Sequence, residues 1–398
     1  MDTTWPALGS TTVRWQPVEG LLDLSRRAQR STPATFEAAV VPPIAGAGLV
    51  LPGDLAADLD EATRLLATFD AGGAGEIAPF ASVLLRSESA ASSQIENLTS
   101  SARALAEAEI GEGNRANAAV ILGNVRTMQA ALDLAGRLDE EAVLAMHRAL
   151  MAQQSLHPAG RWREQQVWVG GSPLHPGEAQ YVPPVASDVP ALMADLVTFM
   201  DRDDLPPLAH AALAHAQFET IHPFTDGNGR TGRALLHSVL LHTGAIRRVT
   251  VPISAGLLAI RDDYFDALTA YRGGEVEPIL RCVAEAARNG THIGEGLVVT
   301  LRQVRADWAS KVTARAGSAA WSMLDLLLRQ PVVTARVVVR ELGVSAPTAQ
   351  AALQRLVDDG ILLESTGHRR NRVYRAPTVL RALDAYAAGL GVLTRQVG

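Results

Sequence analysis

The sequence predicts a mainly α-helical protein: a helical bundle interrupted by one β-hairpin, followed by a small module of short helices and a second hairpin. Three observations carry that expectation. Runs rich in alanine and leucine, with apolar residues at helical spacing, recur between residues 56 and 288. Two short β-prone runs, 166–169 and 180–183, flank the Gly170-Gly171 pair. Beyond residue 315 the chain changes to brief helical segments and then to two strand-like runs around glycine.

Size and composition bound what such a chain can be. Its 398 residues exceed what one core holds, so two to three domains are expected. The 47% hydrophobic and 20% charged content is that of an ordinary globular protein. A net charge of -6 excludes a general field drawing the molecule onto nucleic acid or an anionic membrane; any such contact has to be local. Cys282 is the single cysteine, which excludes internal disulfides and cysteine-based zinc sites and suits a reducing compartment. No apolar run is long enough to span a bilayer, and residues 1–10 lack the basic-then-apolar pattern of a leader. A cytoplasmic protein without membrane contact is expected.

Taken in order, residues 1–50 hold aromatics and prolines without helical periodicity and read as an extended arm laid on the body. Residues 56–69 form an amphipathic helix that Gly72 closes, and residues 80–97 a second that Asn97 terminates in a left-handed conformation. Residues 101–136 and 140–151 supply bundle helices, with His147 on the latter read as a satisfied core histidine. The pairs His210/His215 and His237/His242 are spaced too far round a helix to share one face, so no zinc site is expected. Residues 253–271 and 276–288 continue the bundle, and 293–314 read as a linking helix.

The stretch that carries chemistry is His222-Pro-Phe-Thr-Asp226-Gly-Asn-Gly-Arg230-Thr-Gly-Arg233, read as a loop between helices 208–221 and 231–242. Its glycines permit backbone conformations closed to other residues, so successive N–H groups of Gly227, Asn228 and Gly229 can form an anion nest at the following helix N-terminus. Arg230 and Arg233 lie about one turn apart, where planar forks can grip separate phosphates. Asp226 is the one carboxylate among these cations and suits a magnesium ion shared with phosphate oxygens. The ordinary pKa of a histidine fits His222 to take up a proton near neutrality. Together these residues point to transfer of a phosphate-containing group to a hydroxyl.

The same run matches, at every defined position, the signature of the Fic family, and the chain resembles that family. The resemblance implies a Fic-type helical bundle whose activity is AMP transfer from ATP to a Ser, Thr or Tyr hydroxyl of a protein, with Mg2+ bound by Asp226. It implies that His222 deprotonates the target, Phe224 anchors the loop, Gly227, Asn228 and Gly229 hold the α-phosphate region, and Arg230 and Arg233 bind the outer phosphates. Ser92-x-x-x-Glu96-Asn97 resembles the family's inhibitory motif; the resemblance implies that Glu96 pairs with Arg233 in place of the γ-phosphate. The run around Val167, Trp168, Val169 and Tyr181 is similar to the flap that holds target segments by strand pairing. Tyr264 and Tyr271 fall where relatives line the adenine pocket, although packing tyrosines are as common. De-AMPylation is the alternative activity.

The end of the chain resembles a winged helix: helices 321–328, 335–342 and 348–359, the last opened by Ser345 and Pro347, then a hairpin over 360–375. Arg369, Arg370, Arg372 and Arg375 would contact phosphates in a DNA-binding reading, with the Fic part then sensing nucleotide. Helix 348–359 sets Arg355 against Asp358 and Asp359, a poor set for a polyanion, so a docking or dimerising module is favoured over DNA binding. The expected domains are residues 1–110 as arm and inhibitory helix, 111–290 as Fic core, 291–314 as linking helix and 315–398 as winged helix. The target protein, self-modification and homodimerisation are left open by the sequence.

Overall fold

The computed structural model of the chain describes residues 5–15, 34–72, 78–113, 115–154, 156–172, 175–248, 250–365 and 372–396, leaving aside the side chains of residues 78, 79 and 390–396. In chain order its elements are β1 (Gly9–Arg14), β2 (Thr35–Val40), α1 (Gly53–Ala71), α2 (Ala78–Ile95), α3 (Ala102–Glu109), α4 (Ala116–Leu134), α5 (Glu140–Met151), α6 (Val189–Met200), α7 (Pro207–Ile221) and α8 (Asn228–His242). There follow α9 (Ile253–Ala259), α10 (Arg261–Arg272), α11 (Glu277–Lys311), α12 (Ala319–Arg329), β3 (Val332–Thr334), α13 (Ala335–Leu342), α14 (Ala346–Asp358), β4 (Leu363–Glu364), β5 (Val373–Arg375) and α15 (Pro377–Gln396). The expected mainly helical class is the one observed. The backbone divides into two compact units, one of residues 1–59, 130–243 and 263–281, the other of residues 60–129, 244–262 and 282–398.

In the first unit α7 pairs with α8 and α6. Its sequence from Leu208 to Ile221 is buried throughout, because its alanines let neighbours approach closely and its polar side chains His210, His215, Gln217 and Thr220 find hydrogen-bond partners inside. The N-terminal arm departs from expectation. It is an antiparallel strand pair, with Gly9 opposite Val40 and Arg14 opposite Thr35, and β2 buries Phe36 and Ala38 while Thr35 and Glu37 face water. An alternation that brief, next to Pro42-Pro43, is too short to separate from irregular chain. The arm is fastened by the Leu8 N–H to the Arg272 carbonyl at 3.0 Å and by Asp195, whose carboxylate accepts from the amides of Ile44 and Ala45.

In the second unit α2 packs against α9, α12 and α15. Glu88, fully buried on α2, accepts hydrogen bonds from the Ser254 amide at 2.9 Å and from the Ser254 hydroxyl, and so fixes the start of α9. Residues 253–271 are two helices instead of one, broken at Ile260. Conversely, the segments expected as a bundle helix and a linking helix are the single 35-residue α11. Gly290 does not end it because it serves packing: a Cβ there would lie 2.5 Å from the Pro252 carbonyl oxygen.

The end of the chain folds as a winged helix. β3, β5 and β4 form an antiparallel sheet in that order, with Val332 and Leu363 both opposite Arg375. Met323, Leu324, Val338, Leu353 and Leu356 are buried beneath it with Tyr374. Ser345 caps α14 by accepting from the Thr348 amide. β3 and α15 are additions to the sequence reading: a three-residue strand has no periodicity to detect.

A packed site and an open one give opposite outcomes for two glycines of one helix. Gly290→Ala lowers unfolding free energy by about 1–3 kcal/mol, as overpacking does. Gly296→Ala, where nothing lies within 4 Å of the added carbon, raises it by about 0.5–1 kcal/mol. Chemical denaturation of the two variants checks both signs.

Candidate active site

The site begins where α7 stops. His222 is the C-cap residue, at φ 50° and ψ 61°, its amide donating to the Phe218 carbonyl at 2.9 Å. A left-handed conformation costs a non-glycine residue about 1–2 kcal/mol, so something must hold it. Arg163 does: its Nε donates to the His222 carbonyl at 2.9 Å and its own amide to the Pro223 carbonyl at 2.9 Å. The same guanidinium donates to the carbonyls of Gln165 at 3.2 Å and Pro184 at 2.5 Å. Arg163 is 3% exposed, and burial pulls its pKa down to about 10, leaving it charged at neutral pH.

Phe224 then turns fully inward and stacks on His147 at 3.6 Å, with Trp162 at 5.1 Å. Asn228 closes a ring across the turn: Oδ1 accepts from the Phe224 amide at 2.8 Å and Nδ2 donates to the Phe224 carbonyl at 2.9 Å. His147 braces the other side. Its Nδ1 accepts from the Gly160 amide at 3.0 Å, which leaves Nε2 to donate to the Asp226 carbonyl at 3.0 Å. Burial, ahead of all other influences, lowers its pKa to about 4, so the ring is neutral and the tautomer is fixed by these two bonds.

Gly227, at φ 78°, is the N-cap of α8, and a Cβ there would lie 2.7 Å from Leu150 Cδ2. The expected loop is therefore shorter than the signature. It covers residues 222–227, and Asn228 to Arg233 already form the opening turns of α8, whose first amides have no acceptor within the helix. A left-handed residue followed by right-handed ones turns those N–H groups the same way, a backbone geometry open to an anion. Arg230 and Arg233 are 5% and 2% exposed. Asp226 has a 40% exposed side chain and an oxygen 3.6 Å from Arg230 Nη2. Half-exposed His222, exposed carboxylate, helix N-terminus and buried guanidiniums thus lie on one continuous segment.

The expected hairpin is reduced to a single antiparallel bridge between Val169 and Tyr181. The ladder cannot lengthen, because Gly170 and Gly171 both take φ 72° and Pro183 and Pro184 have no amide to donate. Side chains hold the segment instead. Tyr181 donates to the Thr220 carbonyl at 2.6 Å beneath the Arg272 guanidinium, 3.8 Å from its ring. Trp168 donates to the Ser172 carbonyl at 2.7 Å and meets Trp15 edge-on, while Val167 is half-buried. The Ala39 amide of β2 reaches the Val182 carbonyl at 3.0 Å.

Other singled-out residues resolve as packing. Tyr264 bonds His215 at 2.9 Å and Tyr271 bonds Gln217 at 2.8 Å, both tyrosines being buried. His210 and His242 contact the carbonyls of Phe199 and Ala135. In the second unit Ser92 is fully buried on α2, Glu96 is exposed just beyond its end, and Asn97 takes φ 59°, the left-handed terminator expected. Arg372 pairs with Glu364 at 3.4 Å and Arg375 is half-buried on β5; Arg369 and Arg370 lie outside the described residues.

Two braces, His147 and Arg163, were not legible as site residues. His147 sits on the apolar face of α5 like any core residue, and the sole signal for Arg163 was its place in Gly160-Arg161-Trp162-Arg163. His147→Phe keeps the stack but loses both hydrogen bonds, costing about 1–3 kcal/mol near neutral pH. The depressed pKa values of His147, about 4, and His215, about 3, mean that the unfolded chain binds more protons below the usual 6.5. Stability is therefore fully present above that pH and falls between about 6.5 and 3, the His147 share being lost by about 4. Denaturant unfolding across this range shows the fall in the parent and a shallower one in His147→Phe.

Comparison with known proteins agrees with this anatomy. Residues 137–240 match the model of the Fic/DOC family and residues 317–371 that of the MarR family. The chain is 32% identical over 145 residues to "Protein adenylyltransferase Fic" of Nematostella vectensis, and 31% identical over 146 residues to "Protein adenylyltransferase fic-1" of Caenorhabditis briggsae. Each match takes in 36% of this chain but only 30% and 26% of those proteins. A crystal structure of a Fic family protein from Desulfovibrio desulfuricans G20 shares the fold with a TM-score of 0.51 at 21% identity, over 85% of this chain and 98% of that one. The chain thus carries a Fic/DOC domain at residues 137–240 and a MarR-family winged-helix region at residues 317–371.

Proposed function

We propose that the chain is a protein adenylyltransferase, moving AMP from ATP to a Ser, Thr or Tyr hydroxyl of a protein. The observation that carries this is the left-handed Gly227 cap: it opens α8 toward an anion while the same turns bring the buried Arg230 and Arg233. His222 stands half-exposed at the other end of the loop. In this reading the hydroxyl oxygen attacks the α-phosphorus, His222 takes its proton, and the bond to the bridging oxygen breaks to release pyrophosphate. The amides at Asn228 and Gly229 stabilise charge on the α-phosphoryl oxygens, and Arg230 and Arg233 hold the leaving phosphates. Asp226, a single exposed carboxylate, fits Mg2+ bound chiefly by phosphate oxygens, where the ion would neutralise polyphosphate charge. The bridge at Val169 and Tyr181 would seat the target segment.

Glu96 is proposed as the brake, pairing with Arg233 where the outer phosphate would sit. The left-handed Asn97 that halts the chain directly after it, and the burial of Ser92 one turn earlier, support a fixed placement of this carboxylate. Incubation with α-labelled or γ-labelled ATP tests the whole reading. Label transfers from the α-phosphate alone, His222→Ala lowers it by at least about 100-fold, and Glu96→Gly raises it. Transfer from γ alone would mean a kinase, and hydrolysis of an AMP-modified protein that Glu96→Gly abolishes would mean the reverse reaction.

The MarR-family match favours one second reading, a DNA-binding regulator. Against it, Arg372 is engaged by Glu364, and Arg355 on α14 by Thr313. Salt-dependent retardation of a defined duplex by the full chain would establish it.

A further inference from the structure

The second unit contains a partly open cavity of about 50 Å³ between α2, α3 and α15, beside the stretch of α2 that carries Glu88 and Ser92. Its apolar wall is Ala90, Ala91, Ala102, Leu105, Leu383 and Ala387. Its polar wall is unusual. Arg86 is 9% exposed and gives Nη2 to Glu109 at 3.0 Å, yet its Nε and Nη1 are buried and meet no acceptor among the described residues. The Tyr386 hydroxyl, also lining the cavity, is buried without a partner among them. Burial, and then the charge of Glu88, push that phenol well above its usual pKa, so it stays protonated and able to donate.

Arg86 and Tyr386 both line this space, and a buried donor left unmatched is costly, so an acceptor reaching these groups from the cavity would relieve both. Glu109 already offsets part of the Arg86 charge, and Glu88 adds negative potential at Tyr386; a dianion such as phosphate is poorly compensated here. The volume admits about four water-sized atoms, and most of the wall is methyl and methylene. We propose that this cavity binds a short-chain monocarboxylate, its oxygens on Arg86 and Tyr386 and its alkyl end against Ala90 and Leu105. Arg86, Ala90 and Gln94 share one face of α2, whereas Glu88 and Ser92 lie about 200° round the same helix, which ends just before Glu96. The ligand therefore occupies the back of the helix that leads to Glu96. Across the cavity, Asp384 of α15 caps α3 at the Ala102 amide, 2.8 Å away, which keeps the walls together.

Binding is read on the full chain by thermal unfolding and by calorimetry with sodium acetate, propionate and butyrate. Sodium chloride at matched ionic strength is the control. A saturable rise in Tm of about 2–4 °C is expected at about ten times Kd, strengthening along the series until the cavity is filled. Ala90→Leu fills the space and abolishes the rise. Tyr386→Phe, which leaves the packing intact, weakens binding by about fivefold. No saturable response to any of the three, an equal response to chloride, or a response unchanged in both variants overturns the proposal and leaves a cavity holding water alone. None of these readouts depends on adenylyl transfer, so the site and the enzymatic reading stand or fall separately.

Discussion

The hydrogen bond from Arg163 to the carbonyl of His222 is the constraint from which the rest of the site follows. A helix ending on a left-handed histidine would ordinarily relax, because the side chain crowds its own backbone. Pinning that carbonyl from a buried cation fixes the direction in which the chain leaves α7. Phe224 then falls into its slot against His147, Asn228 reaches back to close the turn, and α8 starts where Gly227 permits. The point from which the His222 side chain leaves and the helix N-terminus are both set by backbone geometry. Preorganisation of this kind is what lets a site stabilise charge without first reordering itself.

The electrostatics are uneven by design. Arg163 directs its charge at three backbone carbonyls and is a structural ion, desolvated but with each of its three guanidinium nitrogens bonded. Arg230 and Arg233 are equally withdrawn from water, yet they sit at a helix end that itself favours anions. Cations buried beside that end raise the local potential far above what the net charge of -6 suggests, a reminder that overall charge speaks to solubility and not to sites. His147 and His215, kept neutral by burial, add nothing to that field.

How much of this was legible depends on where the cause lies in the chain. The helical class follows from periodicity, and the winged helix from the order of its pieces, so both could be read. The loop is contiguous, and its glycines, arginines and histidine announce themselves within one short stretch. His147 and Arg163 are remote in sequence and act on backbone atoms, which leave no pattern in residue types. The flap expected as a hairpin shrank because prolines and left-handed glycines act on hydrogen bonding, while strand propensity counts side chains. α11 ran on through glycines that looked like stops because Gly290 meets the Pro252 backbone, a contact no linear reading contains.

The Asn228-Gly229 step has a chemical consequence of its own. Asparagine followed by glycine is the pair that most readily cyclises to a succinimide in loose chain, since the next amide nitrogen meets little hindrance on its way to the side-chain carbonyl. Here that carbonyl is occupied by the Phe224 amide and the residue is 3% exposed, so the folded protein shields this step, one of two Asn-Gly pairs in the sequence with Asn289-Gly290. Once the loop opens, the shield is gone. Conversion to aspartate would set a carboxylate oxygen against the Phe224 carbonyl where Nδ2 now donates, and molecules that have aged in this way cannot close the turn again.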